Sequence, residues 1–177
     1  AVDALLLQFF TLFSYIMDGF AYAGESLVGR YVGARDGKLL RKSVRYLFAW
    51  GIAITAVFTG LYALGGNMFL HVFTNDVQLI ESVQKYMFWI LVIPVCGFSA
   101  FLFDGIFVGA TASRTMRNSM FVATLAFFAV YFIVPQFFGN GISAEIRNNI
   151  LWLAFMVYLS FRGIMQALFL KKSVYTV

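Results

Sequence analysis

Between Leu47 and Leu70 the chain runs for 24 residues without one charged side chain. No other feature constrains the fold as much, because the hydrocarbon core of a bilayer, roughly 30 Å thick, takes about 20 mostly apolar helical residues. Four more stretches share this character. They run from Ala4 to Val32, which is the most polar, from Tyr86 to Gly109, broken only by Asp104, from Met120 to Gly139, and from Ile150 to Leu170, which carries Arg162. Their apolar residues are continuous instead of alternating in twos, so they predict helices and not barrel strands. Composition closes off the other classes. Of 177 residues, 62% are hydrophobic and 12% charged, whereas a soluble domain carries roughly 25% charged residues. One Cys and two Pro leave no disulfide scaffold, collagen-like chain or disordered tract. The expected fold class is all-α: a polytopic membrane bundle of five transmembrane helices, with residues 1–177 forming a single transmembrane unit and no soluble domain.

Charge then orients the bundle. The first loop region holds Arg30, Arg35, Lys38, Arg41, Lys42 and Arg45; the third holds Arg114 and Arg117; Lys171 and Lys172 follow the fifth stretch. The remaining two loops hold Lys85 and Arg147. Basic residues gather on the cytoplasmic side, which predicts a multi-pass protein of the inner (plasma) membrane with a cytoplasmic C-terminus. The net charge of +5 therefore reads as orientation. The Phe residues lie inside apolar runs, so no nucleic-acid partner is expected, and membrane lipids are. Cys96, alone in WILVIPVCGF, says nothing about redox compartment. AVDALLLQFF has no basic start and so does not read as a secretory signal. A chain that opens on Ala1 inside an apolar helix, with its first stretch entering from outside, is expected to be a fragment.

Punctuation inside the stretches is legible too. Pro94 should kink the third. Gly29 with Gly33, and Gly105 with Gly109, form small-xxx-small pairs that let helices approach closely. VFTNDVQLIESVQKYM reads as a short helix on the outer surface leading into the third span.

Few residues could carry chemistry. Gln8, Thr11, Tyr15, Asp18, Tyr22 and Glu25 recur at spacings of 3 and 4, which puts them on one helix face. A carboxylate facing lipid is costly, so this stripe should line an interior cavity; the plainer alternative for Glu25 is neutralisation by Arg30 near the interface. Asp104 is the third intramembrane carboxylate. It either pairs with Arg114 or Arg117 or binds a cation or proton. Arg162 either snorkels to the surface or neutralises a carboxylate. The substrate- or ion-binding candidates are thus Asp18, Glu25, Asp104, Tyr15, Tyr22 and Gln8. His71 sits at the outer end of the second span and reads as an interfacial side chain. No HExxH, Cys cluster, GxSxG or Walker-type loop appears, so neither an enzyme, a metal site nor a cofactor is expected. Intramembrane proteolysis by Asp18 and Asp104 would require the two to meet.

Three segments point further. YIMDGFAYAGESLVGRYVGARDG resembles the eighth helix and following loop of multidrug and toxic compound extrusion (MATE) transporters, in the branch named for DNA-damage-inducible protein F. FTNDVQLIESVQKYM is similar to that family's outer loop before the tenth helix. FDGIFVGATASRTMRNSM is similar to the end of that helix and its cytoplasmic loop. The resemblance covers essentially the whole chain and agrees with the sidedness read from loop charges. It implies helices eight to twelve of a twelve-helix transporter, a C-terminal lobe lacking its first helix and working with an absent N-terminal lobe. It further implies export of small organic, often cationic, compounds in exchange for H+ or Na+ by alternating access. The aspartate credited with proton coupling in this branch lies in the family's first helix, which has no counterpart here. Sodium-linked relatives use an acidic residue of the tenth helix, the helix to which Asp104 corresponds. A lipid-linked oligosaccharide flippase of the same superfamily, whose cavity would be richer in Arg, and a non-transporting membrane scaffold are the alternatives.

Overall fold

Leu6, Phe9, Phe13 and Met17 follow one another at spacings of 3 and 4 residues, and all are fully buried. They form the inner face of a long first helix, α1 (Val2–Gly33). In the computed structural model, which describes residues 1–138, 141 and 143–175 and all of their side chains but that of Asn67, five more helices follow. They are α2 (Gly37–Phe73), α3 (Val77–Gln84), α4 (Met87–Gly109), α5 (Ser113–Ile133), which continues into a 3-10 turn over Val134–Phe138, and α6 (Ala144–Ser173). The described residues contain no strand, and α1, α2, α4, α5 with its 3-10 turn, and α6 are long and apolar enough to cross a membrane.

Local chemistry sets the ends. The Asp36 carboxylate accepts from the backbone N–H groups of Lys38 and Leu39. That cap starts α2 ten residues ahead of the apolar run at Leu47, carrying the basic segment into the helix. Asp76 caps α3 in the same way, and Ser143 caps α6 through the N–H of Ile146. The fourth apolar stretch was expected to extend to Gly139, which lies outside the described residues. Regular α-helix stops at Ile133: Pro135 has no N–H to donate to the carbonyl four residues back, and the tighter turn takes over. Pro94 is accommodated inside α4, which remains one helix through it. The short helix expected on the surface before the third span is α3.

The turns after α1 and α4 are built alike. Arg35 (φ 55°) and Thr111 (φ 56°) take the left-handed conformation. The next N–H in each case, of Asp36 and Ala112, donates to a carbonyl five residues back, on Tyr31 and Phe107. Both turns follow a Val-Gly-Ala sequence, and this helix-ending motif reverses the chain twice at the same end of the bundle.

At the centre stands α4, packed against α1, α2 and α6, while α5 leans on α6. Helices α1 and α4 approach to backbone contact. A Cβ at Gly105 would collide with the Ala21 carbonyl, and one at Gly109 with that of Glu25. One at Gly163 would meet the Ser99 hydroxyl, so α6 is drawn onto α4 by the same means. The larger core brings α1, α2, α3, α4 and α6 together, with edge-to-face contacts such as Phe9–Tyr62 at 5.1 Å. The Tyr62 hydroxyl donates to the Phe9 carbonyl at 2.8 Å. A second core, around Val28, Leu40, Val44, Phe107 and Val174, closes the basic end. There Thr115 and Ser173 join their hydroxyls at 3.0 Å, and Arg41 stacks on Tyr175 with 5.5 Å to the ring centroid.

Candidate functional site

The polar stripe of α1 divides into two lines. Gln8, Tyr15 and Tyr22, seven residues apart, point away from the bundle, with Tyr15 71% and Tyr22 69% exposed. Thr11, Asp18 and Glu25, also seven apart, sit half-buried along its flank. Two turns of helix bring each line back within about 20° of where it began, so both run nearly parallel to the helix axis. The stripe is not roofed over by any other helix among the described residues. Thr11 satisfies its own hydroxyl by donating to the Leu7 carbonyl. Glu25 places its backbone against Gly109 and forms no ion pair with Arg30.

Asp104 is placed by α4 and Arg162 by α6. They form the ion pair of the described residues, with side chains 20% and 13% exposed respectively. Gln166, one turn beyond Arg162 and fully buried, donates its Nε2 to Asp104 Oδ1 at 3.0 Å. The alternatives weighed for Asp104 thus resolve differently from expectation: neither Arg114 nor Arg117 is its partner. Both lie exposed at the start of α5, and α5 packs chiefly on α6, so their side chains are held away from α4. Of the two readings of Arg162, it is neutralisation that the geometry adopts. Gln166 was missed by sequence reasoning. The available signal was its i, i+4 relation to Arg162, which puts both on one face of α6.

Asp18 approaches the same cation from α1, within electrostatic reach of the Arg162 guanidinium. Two carboxylates thus act on one guanidinium, Asp104 by direct contact and Asp18 at longer range, and the sum of the formal charges is −1. Two buried polar atoms of the cluster, Arg162 Nε and Gln166 Oε1, have no hydrogen-bond partner among the described residues. They leave one donor and one acceptor open inside the apolar region. Among the described residues no hydrogen bond joins Asp18 to Asp104, whose carboxylate is held by Arg162 and Gln166.

A cavity of about 540 Å³ lies at the opposite end and involves Asp3, Lys85, Glu145 and Arg147. It is separate from the Asp104 cluster. Among the described residues no three His, Cys, Asp or Glu side chains gather as a metal site.

Residues 1–134 match the family model described as MatE. Over 167 residues the chain is 35% identical to DNA damage-inducible protein F of Escherichia coli (strain K12), a match covering 94% of this chain and 34% of that relative. The chain thus spans about a third of the length of the curated relative it matches.

Proposed function

The chain belongs to the MATE family of membrane transporters, and from that premise we propose that it is part of an ion-coupled antiporter. It would exchange protons or sodium ions for small organic, often cationic, compounds by alternating access, partnered by an N-terminal lobe. The observation that carries this reading is the cluster of Asp18, Asp104 and Arg162. Charges inside a bilayer are expensive and mark substrate or ion pathways. Here the guanidinium is tied to Asp104, so the unmatched negative charge falls on Asp18. Tyr15 and Tyr22 flank it on the open face of α1, offering aromatic surface that attracts organic cations. Taking up a proton or a sodium ion at Asp18 would cancel the charge that holds a cationic substrate, and losing it would restore the hold. Glu25 and Gln8 extend the same face toward its two ends.

The flippase reading would want an Arg-rich cavity. Apart from Arg side chains near the two ends of the helices, Arg147 among them, Arg162 is the sole Arg within the spans, and a carboxylate already occupies it, which favours a cationic cargo. We further propose that the basic end of the bundle is cytoplasmic and that the membrane is the inner (plasma) membrane.

The test is an efflux assay on the full-length transporter carrying this segment, wild type against Asp18→Asn, with a cationic and a neutral substrate across a range of external pH. Loss of cation export by tenfold or more, a smaller loss for the neutral compound and a flattened pH profile are expected. An Asp18→Asn variant that keeps the wild-type pH profile and cation preference would overturn the assignment.

A further inference from the structure

The first turns of α2 carry Lys38, Arg41, Lys42 and Arg45, and among the described residues none of them forms an ion pair. Asp36 sits beside them, but its carboxylate is engaged in capping the helix. With Tyr46 these four cations line an open cavity of about 1010 Å³. Lys42 lies over the Tyr46 ring at 5.8 Å. Tyr46 is also a wall of a second cavity, of about 490 Å³, between α1 and α2. That one is almost wholly apolar, built from Phe20, Ala23, Leu27, Leu47 and Trp50. An open cationic surface of α2 and an apolar groove between α1 and α2 thus meet at a shared tyrosine.

Depth fits the same picture. No charge occurs from Tyr46 to Leu70, so Arg45 stands at the edge of the hydrocarbon region. Lys38 lies about 10 Å farther out at 1.5 Å per residue, which is headgroup depth. Exposed Tyr46 and Trp50 occupy the interfacial level that such rings prefer.

We infer that these joined cavities bind one anionic phospholipid, its phosphate among Lys38, Lys42 and Arg45 and an acyl chain along Phe20, Leu27 and Trp50. Charge complementarity selects the headgroup: each Lys or Arg near a membrane surface adds attraction for anionic lipid, and Arg is shaped for bidentate contact with phosphate. The apolar groove selects a lipid over a free phosphate, which has nothing to bury there. Arg41 contributes less because it is held on Tyr175.

The experiment is native mass spectrometry of the purified 177-residue chain, titrated in detergent with phosphatidylglycerol, phosphatidylcholine and, separately, inorganic phosphate. Wild type is expected to retain one phosphatidylglycerol at least tenfold more tightly than phosphatidylcholine. The triple variant Lys38→Gln, Lys42→Gln, Arg45→Gln should lose that preference, while Arg114→Gln with Arg117→Gln, at the same end of the bundle, should keep it. Trp50→Ala should weaken retention of phosphatidylglycerol and phosphatidylcholine alike. Circular dichroism of each variant separates lost binding from lost folding, and the control pair and Trp50→Ala give the answer should the triple variant unfold. Equal retention of both lipids, equal losses in the triple and control variants, displacement of lipid by inorganic phosphate, or a second copy of the chain bound in place of lipid would each overturn the inference.

Discussion

A guanidinium held within a bilayer survives only with a partner, and the residue-scale logic of this chain follows from how Arg162 finds one. Its link to Asp104 is mostly buried, so removing one member strands the other; such losses run to about 3–5 kcal/mol. Arg162→Gln is therefore expected to destabilise the chain by about 3 kcal/mol. Adding Asp104→Asn should recover part of the loss, because no uncompensated charge then remains; a double-mutant cycle from unfolding in detergent micelles measures the coupling. Additive losses would mean that the two residues do not depend on each other. Asp18→Asn, on the half-buried line of α1, should change stability by less than about 1 kcal/mol in the same measurement, which would set the proposed substrate carboxylate apart from a structural one. The sequence made the three charges visible as anomalies in apolar runs. It did not pair them, because Asp104 and Arg162 lie 58 positions apart and only the packing of α6 on α4 decides between Arg162 and the nearer Arg114. Gln166 was invisible for a related reason: a lone amide in an apolar run announces nothing until its neighbour is known to be charged and buried.

The pairing of α1 with α4 depends on glycine as well as on packed side chains. Gly105 and Gly109 touch the backbone of α1 at Ala21 and Glu25, so a methyl group must push two helices apart. Gly105→Ala is expected to cost about 2 kcal/mol, within the range for overpacking a filled interior. Gly60→Ala on α2, where an added Cβ meets nothing within 4 Å, should be neutral or slightly stabilising, since alanine is the better helix former. Thermal unfolding of the two variants side by side checks this, and equal losses would contradict the contact. The pair at Gly105 and Gly109 was legible as a small-residue spacing, but that Gly29 meets Gly109, at 3.4 Å from an added Cβ to the carbonyl, was not. Gly33 has open space around it, so equal spacings do not guarantee equal roles. Helix type and order were readable because a 20-residue apolar run has few other options. Helix ends were less so: the start of α2 rests on a single capping carboxylate, Asp36, set in a polar segment that hydropathy alone treats as loop.

At the scale of the whole molecule, charge and polarity point in different directions, and both bear on transport. Arg30, Arg35, Lys38, Arg41, Lys42, Arg45, Arg114, Arg117, Lys171 and Lys172 collect at the end where α1, α4 and α6 finish and α2 and α5 begin. With Cys96 replaced, a membrane-impermeant maleimide applied to intact cells should label Glu81→Cys at the opposite end and spare Lys172→Cys; the reverse pattern would invert the orientation. The polar face of α1 runs along this axis, looks sideways from it and stays open: Tyr15 and Tyr22 are among the more exposed aromatic side chains, although an apolar face lies directly behind them on the same helix. A surface of that kind can select a cation but cannot alternate its access, because alternation needs a second body to close against the first. The 177-residue chain reconstituted alone in liposomes is therefore expected to bind an organic cation at Asp18 without moving it against a proton or sodium gradient. Fluorescent-cation uptake under an imposed gradient measures the movement, and a cation-quenched tyrosine or tryptophan signal, lost in Asp18→Asn, measures the binding. Gradient-driven accumulation by this chain alone would show that one lobe suffices. Absence of binding would move the cation site to surfaces that these five spans do not supply.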